Sequence, residues 1–100
     1  MHAVIITFTT SAPPESLEQP FRNFAEALLR VEWFVSKVWL NDGATFGGSY
    51  VFDSEGAANA YLESPLVAGL TDDAFRDVEI RTFAVIDDLT AITARTLVAT

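Results

Sequence analysis

Two runs, WFVSKVWLN at residues 33–41 and TFGGSYVFD at residues 45–53, flank the dipeptide Asp42-Gly43. Both are strand-like, and an Asp-Gly pair between such runs is a strong short-range hairpin signal. With Asp42-Gly43 as the loop, position 41 faces 44, 39 faces 46, 37 faces 48 and 35 faces 50. One face of the hairpin then carries Trp33, Val35, Lys37, Trp39, Phe46, Gly48, Tyr50 and Phe52. The other carries Phe34, Ser36, Val38, Leu40, Gly47, Ser49 and Val51. The assignment depends on register, because a one-residue slip would send Lys37 and Trp39 to the face opposite Tyr50.

The remaining segments arrange themselves around this hairpin. Residues 2–9 are rich in β-branched types and predict a strand that is apolar on both faces, as a central strand would be. Leu17, Phe21, Phe24 and Leu28 recur at helical spacing within residues 15–30. Pro20 interrupts that pattern, so the main helix is expected to begin near it, after a looser first turn. Ser54 reads as an N-cap before a short helix, EGAANAYLE. Helical turns are expected at 66–70 and 73–76, a last strand at 78–86, and a C-terminal helix after Asp87-Asp88. The order β-α-β-β-α-β is the split βαβ, or ferredoxin-like, arrangement of an α+β domain. Its four-stranded antiparallel sheet has the first and third strands in the middle and both helices on one face. The 100 residues form one domain. Apolar residues on the uncovered face predict a homodimer pressed sheet to sheet.

Composition excludes much. Six Lys+Arg against 14 Asp+Glu give a net charge of −8, which disfavours nucleic acid and anionic membrane surfaces as partners. The absence of cysteine removes disulfides, thiolate nucleophiles and thiolate metal sites. The only histidine is His2, so no site within one chain can use two. No metal site is expected. No apolar run approaches the roughly 18 residues of a membrane span. The N-terminal MHAVIITFTT lacks the marks of a signal peptide, and a cytoplasmic location is expected.

The segments KVW (Lys37 to Trp39), GGSYVF (Gly47 to Phe52) and AYLES (Ala60 to Ser64), with VEIRTFAVIDDLTAI near the C-terminus, resemble the YdhR-type monooxygenases of the dimeric α+β-barrel superfamily. The likeness covers nearly the whole chain. It implies a homodimeric barrel with an apolar cavity in each subunit. It also implies an oxygenase acting on an aromatic or polyketide-like molecule with no metal or flavin, molecular oxygen being the co-substrate. The hairpin tip is shorter than that family's, which removes polar groups a longer tip would bring over the cavity mouth.

Lys37, Trp39 and Tyr50 are the candidate catalytic residues. Lys37 alternates with aromatic residues opposite a glycine, where it could hold a substrate enolate or phenolate. The alternatives are a snorkelling lysine or one paired with a carboxylate such as Glu79. Trp39 and Tyr50 each carry a polar tip that can orient a ring. Trp33, Phe46, Phe52 and Arg81 are candidate substrate-binding residues. The alternative for the first three is a core or interface, and for Arg81 an ion pair across a dimer. His2 is too close to the terminus for a general base. Gly47-Gly48 reads as a bulge or cavity wall, and Asp72-Asp73 and Asp87-Asp88 as helix caps. The leading expectation is a cofactor-independent monooxygenase. An isomerase or cyclase of a similar substrate, or a non-catalytic small-molecule-binding dimer, remain the alternatives.

Overall fold

A computed structural model describes residues 1–68 and 75–95. The chain forms β1 (His2–Thr10), α1 (Pro14–Leu28), β2 (Phe34–Asn41), β3 (Thr45–Phe52), α2 (Glu55–Leu62), α3 (Pro65–Ala68), β4 (Phe75–Ala84) and α4 (Asp87–Thr93). The strands make one antiparallel sheet in the order β2-β3-β1-β4, the ferredoxin-like arrangement. Strict alternation along β1 sends His2, Val4, Ile6 and Phe8 into the helical layer. There Val4 and Ile6 join Leu28, Tyr50, Phe52, Ala58 and Tyr61 in the core.

The hairpin loop lies one residue further along than expected. Asp42 pairs with Thr45 through its N–H, 3.0 Å from the Thr45 carbonyl, so Gly43-Ala44 is the two-residue loop. Gly43 has φ +96°, and positive φ at the first central position alone is the II′ pattern. The Asp42 carboxylate locks it by accepting from the Ala44 and Thr45 N–H groups, at 3.2 and 2.7 Å. Trp39 therefore faces Gly48, and Lys37 faces Tyr50. The shift in pairing is two residues, so the faces are kept. Nearer the start of β2, a bulge between Phe34 and Ser36 breaks the alternation. Phe34, not Trp33, thereby pairs with Phe52, and their rings meet edge to face at 5.9 Å. Trp33 sits outside the strand at φ +61° and is more than half exposed.

α1 also departs from expectation by running through Pro20 from Pro14. The first turn is anchored where Ser16 donates its N–H and its hydroxyl to the Pro13 carbonyl, at 2.9 and 2.7 Å. Pro20 leaves the Ser16 carbonyl without its helical donor, but Ser16 is exposed and water can replace it. Ser54 caps α2 as expected, accepting from the Ala57 N–H at 3.1 Å.

β4 begins at Phe75, so Arg76 belongs to a strand and not to a helical turn. Its register shifts beside Thr7 and Thr9, where Asp77 takes φ +52°. The expected features at Leu70 and Asp72-Asp73 lie outside the described residues. Asp87 and Asp88 form the first turn of α4. There Asp87 holds the N-terminal ammonium at 3.1 Å. No described helix is long and apolar enough to cross a membrane. The expected placement of both helices on one face holds, and the other face, with Ile5, Val38, Leu40, Arg81 and Phe83, is left open.

Candidate active site

A cavity of about 240 Å3 lies between α1 and the sheet. Its floor is made by β1 and the hairpin, at Phe8, Gly47, Tyr50, Lys37 and Trp39. Its roof is Pro20, Phe21 and Phe24 of α1, and Leu66 and Phe75 close its rim. Beside this floor, two consecutive residues of β3 have no side chain. A Cβ on Gly47 would strike the Ile6 carbonyl oxygen of β1, so glycine is needed for the strands to approach. A Cβ on Gly48 would strike Cε of Lys37, whose stem fills that place.

Lys37 is the polar centre of this apolar chamber. Its Nζ lies 3.3 Å from the centroid of the Trp39 ring, 4.4 Å from that of Tyr50 and 4.8 Å from that of Phe24. Among the described residues no carboxylate stands within 4.0 Å of it. The ring faces favour the ammonium form by about 0.5–2 kcal/mol. Loss of hydration costs an unpaired charge several kcal/mol, so burial prevails. It lowers the amine from its ordinary 10.5 to about 7. Near neutral pH the cavity thus holds a substantial fraction of free amine.

Two phenols sit behind the lysine. Tyr50 and Tyr61 are buried, with ring centroids 5.3 Å apart. Burial raises the Tyr50 phenol, while the nearby Tyr61 hydroxyl pulls it partly back. Burial raises Tyr61 further, and its neighbour Tyr50 adds to the shift. The two hydroxyls are close but short of hydrogen-bond geometry, since Tyr61 Oη has no partner among the described residues. Both phenols stay protonated at any physiological pH.

The structure brings Lys37, Trp39 and Tyr50 to one cavity. Phe46 stands behind its wall, stacked on Phe8 at 6.4 Å and edge-on to Phe21 at 5.8 Å. Phe52 is fully buried deeper in the core, against Tyr50 and Tyr61. Trp33 is at a separate open surface groove with Asp53 and Ser54. Arg81 is on the opposite sheet face, across from Ile5 and over the Phe83 ring at 5.3 Å. The roof was visible in the sequence only as the helical stripe. Leu17 and Leu28 of that stripe enter the core, whereas Phe21 and Phe24 reach Trp39, at 5.4 and 6.2 Å between ring centroids.

Residues 4–96 match the model of one protein family, described as "Putative mono-oxygenase ydhR". The chain belongs to that family. Solved structures share the fold of this ydhR-family chain. One is described as a "putative antibiotic biosynthesis monooxygenase" from Deinococcus radiodurans. It is 19% identical, with 85% of this chain and 92% of that one covered and a TM-score of 0.69. SnoaB, a cofactor-independent oxygenase from Streptomyces nogalater, is also 19% identical. There 96% of this chain and 95% of that one are covered, with a TM-score of 0.67. A point mutant of MhuD, with two manganese protoporphyrin IX molecules bound per active site, is 16% identical. It has a TM-score of 0.66, with coverage of 86% of this chain and 95% of that one. No curated protein matches the sequence.

Proposed function

We propose that this ydhR-family protein is a cofactor-free monooxygenase of small, apolar, activated aromatic molecules, anthrones and quinols above all, working as a homodimer. The observation that carries the reading is an amine with no carboxylate partner among the described residues, lowered to about 7, inside an aromatic cavity of about 240 Å3. Pockets for drug-sized ligands run from roughly 300 to 1,000 Å3, so the occupant is compact.

Lys37 in its free-amine form accepts a proton from an activated C–H or a phenol. The ammonium so formed stays beside the new anion, and low dielectric strengthens that contact. The electron-rich anion passes one electron to O2, and the radical pair recombines to a peroxide, which loses water. For an anthrone-type CH2 the balance is CH2 + O2 giving C=O + H2O. Trp39 and Tyr50 orient the ring, and the roof at Phe21 and Phe24 excludes water.

The donor set supports a reaction without haem. Haem iron takes axial ligands from His, Cys, Met or Tyr. His2 pairs with Phe52 and Ala84, away from the cavity, and of those four side chains the cavity offers only Tyr50, a phenol that burial keeps protonated. SnoaB, with the same fold, is described as a cofactor-independent oxygenase.

Oxygen uptake with a panel of anthrones and quinols tests the reading. One O2 consumed per anthrone is expected, with kcat rising as pH climbs through about 7 and then levelling. Lys37→Met should lower kcat by about 10²–10⁴-fold and change KM little. Turnover without oxygen would favour an isomerase or cyclase, and tight binding without turnover a ligand-binding dimer.

A further inference from the structure

Lys37 is the only lysine of the chain. The other amine, the N-terminus, is tied to the Asp87 carboxylate at 3.1 Å on the surface. Lys37 Nζ is confined among ring faces of Trp39, Tyr50 and Phe24, with its stem seated over Gly48. No described carboxylate stands within 4.0 Å to hold it as a cation.

We propose that this cavity is a carbonyl-capture site, in which Lys37 Nζ condenses with compact aryl aldehydes to form a reversible imine. The amine lone pair attacks the carbonyl carbon, and a C–N bond forms as the carbonyl π bond opens. A proton passes from nitrogen to oxygen to give the carbinolamine. Loss of water then leaves the C=N bond. The sum is aldehyde + amine giving imine + H2O, with nothing oxidised or reduced. A desolvated lysine in an apolar pocket is one of the recognised ways to make this nucleophile available. Its lowered pKa, about 7, gives a large unprotonated fraction at neutral pH. The aromatic walls favour an aryl group, and exclusion of water favours the dehydrated product over the carbinolamine. The site needs no oxygen, so the proposal stands or falls apart from the oxygenase reading.

The test is reductive trapping of the full chain under argon with benzaldehyde and sodium cyanoborohydride at neutral pH, read by intact mass and peptide mapping. A single benzyl adduct on Lys37 is expected, forming at least about tenfold faster than on free Nα-acetyl-lysine, since the latter is almost wholly protonated there. Glyoxylate, an anionic aldehyde, should label Lys37 at least about tenfold more slowly than benzaldehyde once each rate is divided by that aldehyde's rate with Nα-acetyl-lysine, because its charge resists the apolar walls. Lys37→Arg, checked for native melting, should abolish the adduct. Adducts confined to the N-terminus, labelling of Lys37 no faster than the free amino acid, or equal relative labelling by glyoxylate would each overturn the proposal. The wild-type rate comparison decides the matter even if Lys37→Arg does not fold.

Discussion

At the scale of single residues, Lys37 sets function against stability. Its pKa is about 7 in the folded chain and 10.5 when solvated, so the unfolded chain binds more protons between those values. Stability contributed by this position therefore rises with pH from 7 to 10.5, and below 7 the full cost of burying the cation is borne. Lys37→Met, close in volume and uncharged, should raise the melting temperature most at about pH 6. The gain should shrink steadily towards pH 10, at about 4–8 °C for each kcal/mol of charge burial relieved. A melting series on both proteins across that range checks it, and an equal gain at every pH would mean packing alone. The position of Lys37 was legible because an ionisable group alternating with aromatic residues stands out in a strand. Its lack of a carboxylate partner among the described residues was not, since Glu79 is a plausible partner in sequence but falls on the other sheet face. Trp33 was misplaced for a similar reason: alternation assumes an unbroken strand, and the bulge after Phe34 ends it.

At the scale of elements, the hairpin carries most of the site, and its face pattern survived a change of loop. Moving the turn from Asp42-Gly43 to Gly43-Ala44 alters the pairing by two residues, and side chains alternate with period two. The sequence could not choose between these turns, because Asp42 suits either the loop or the strand end. Its bonds to Ala44 and Thr45 decide in favour of the second. Helix α1 was legible in its stripe but not in its start. A proline argument misses that an exposed Ser16 carbonyl needs no helical donor. The adjacent glycines make opposite predictions. Gly47→Ala presses a methyl group on the Ile6 and Thr7 backbone of central strand β1, which cannot yield without opening the ladder. It should cost at least about 1–3 kcal/mol in urea denaturation. Gly48→Ala meets only the flexible end of Lys37. It should cost less than about 1 kcal/mol and swing the amine towards water. NMR titration should then show the Lys37 pKa moving back up towards 10.5, and an unmoved pKa with a lowered stability would contradict this placement.

At the scale of the whole molecule, one layer of helices leaves half of the sheet surface uncovered. Val38, Leu40 and Phe83 on that open face are each about two-fifths exposed, and Ile86, Leu89 and Ile92 around α4 are more so. A monomer in water seldom shows contiguous apolar patches beyond a few hundred Å2. A second copy would cover this face by a two-fold pairing of like surfaces. The cavity does not need it, because α1 already roofs the site from the other side of the sheet. Assembly and chemistry are therefore separable by mutation. Sedimentation should show a homodimer at low micromolar concentration, with an interface of roughly 1,200–2,000 Å2 or more. Val38→Asp places a charge in the centre of that contact from each copy, in a chain whose net charge of −8 already opposes association. It should give a monomer that melts lower yet still binds a cavity ligand, since Val38 and Lys37 point to opposite faces of β2. On an ordinary solvated surface the same change would stay within about 0.5 kcal/mol and leave the sedimentation coefficient alone. A dimer unaffected by Val38→Asp would locate the interface elsewhere, with the exposed apolar side of α4 the next surface to charge.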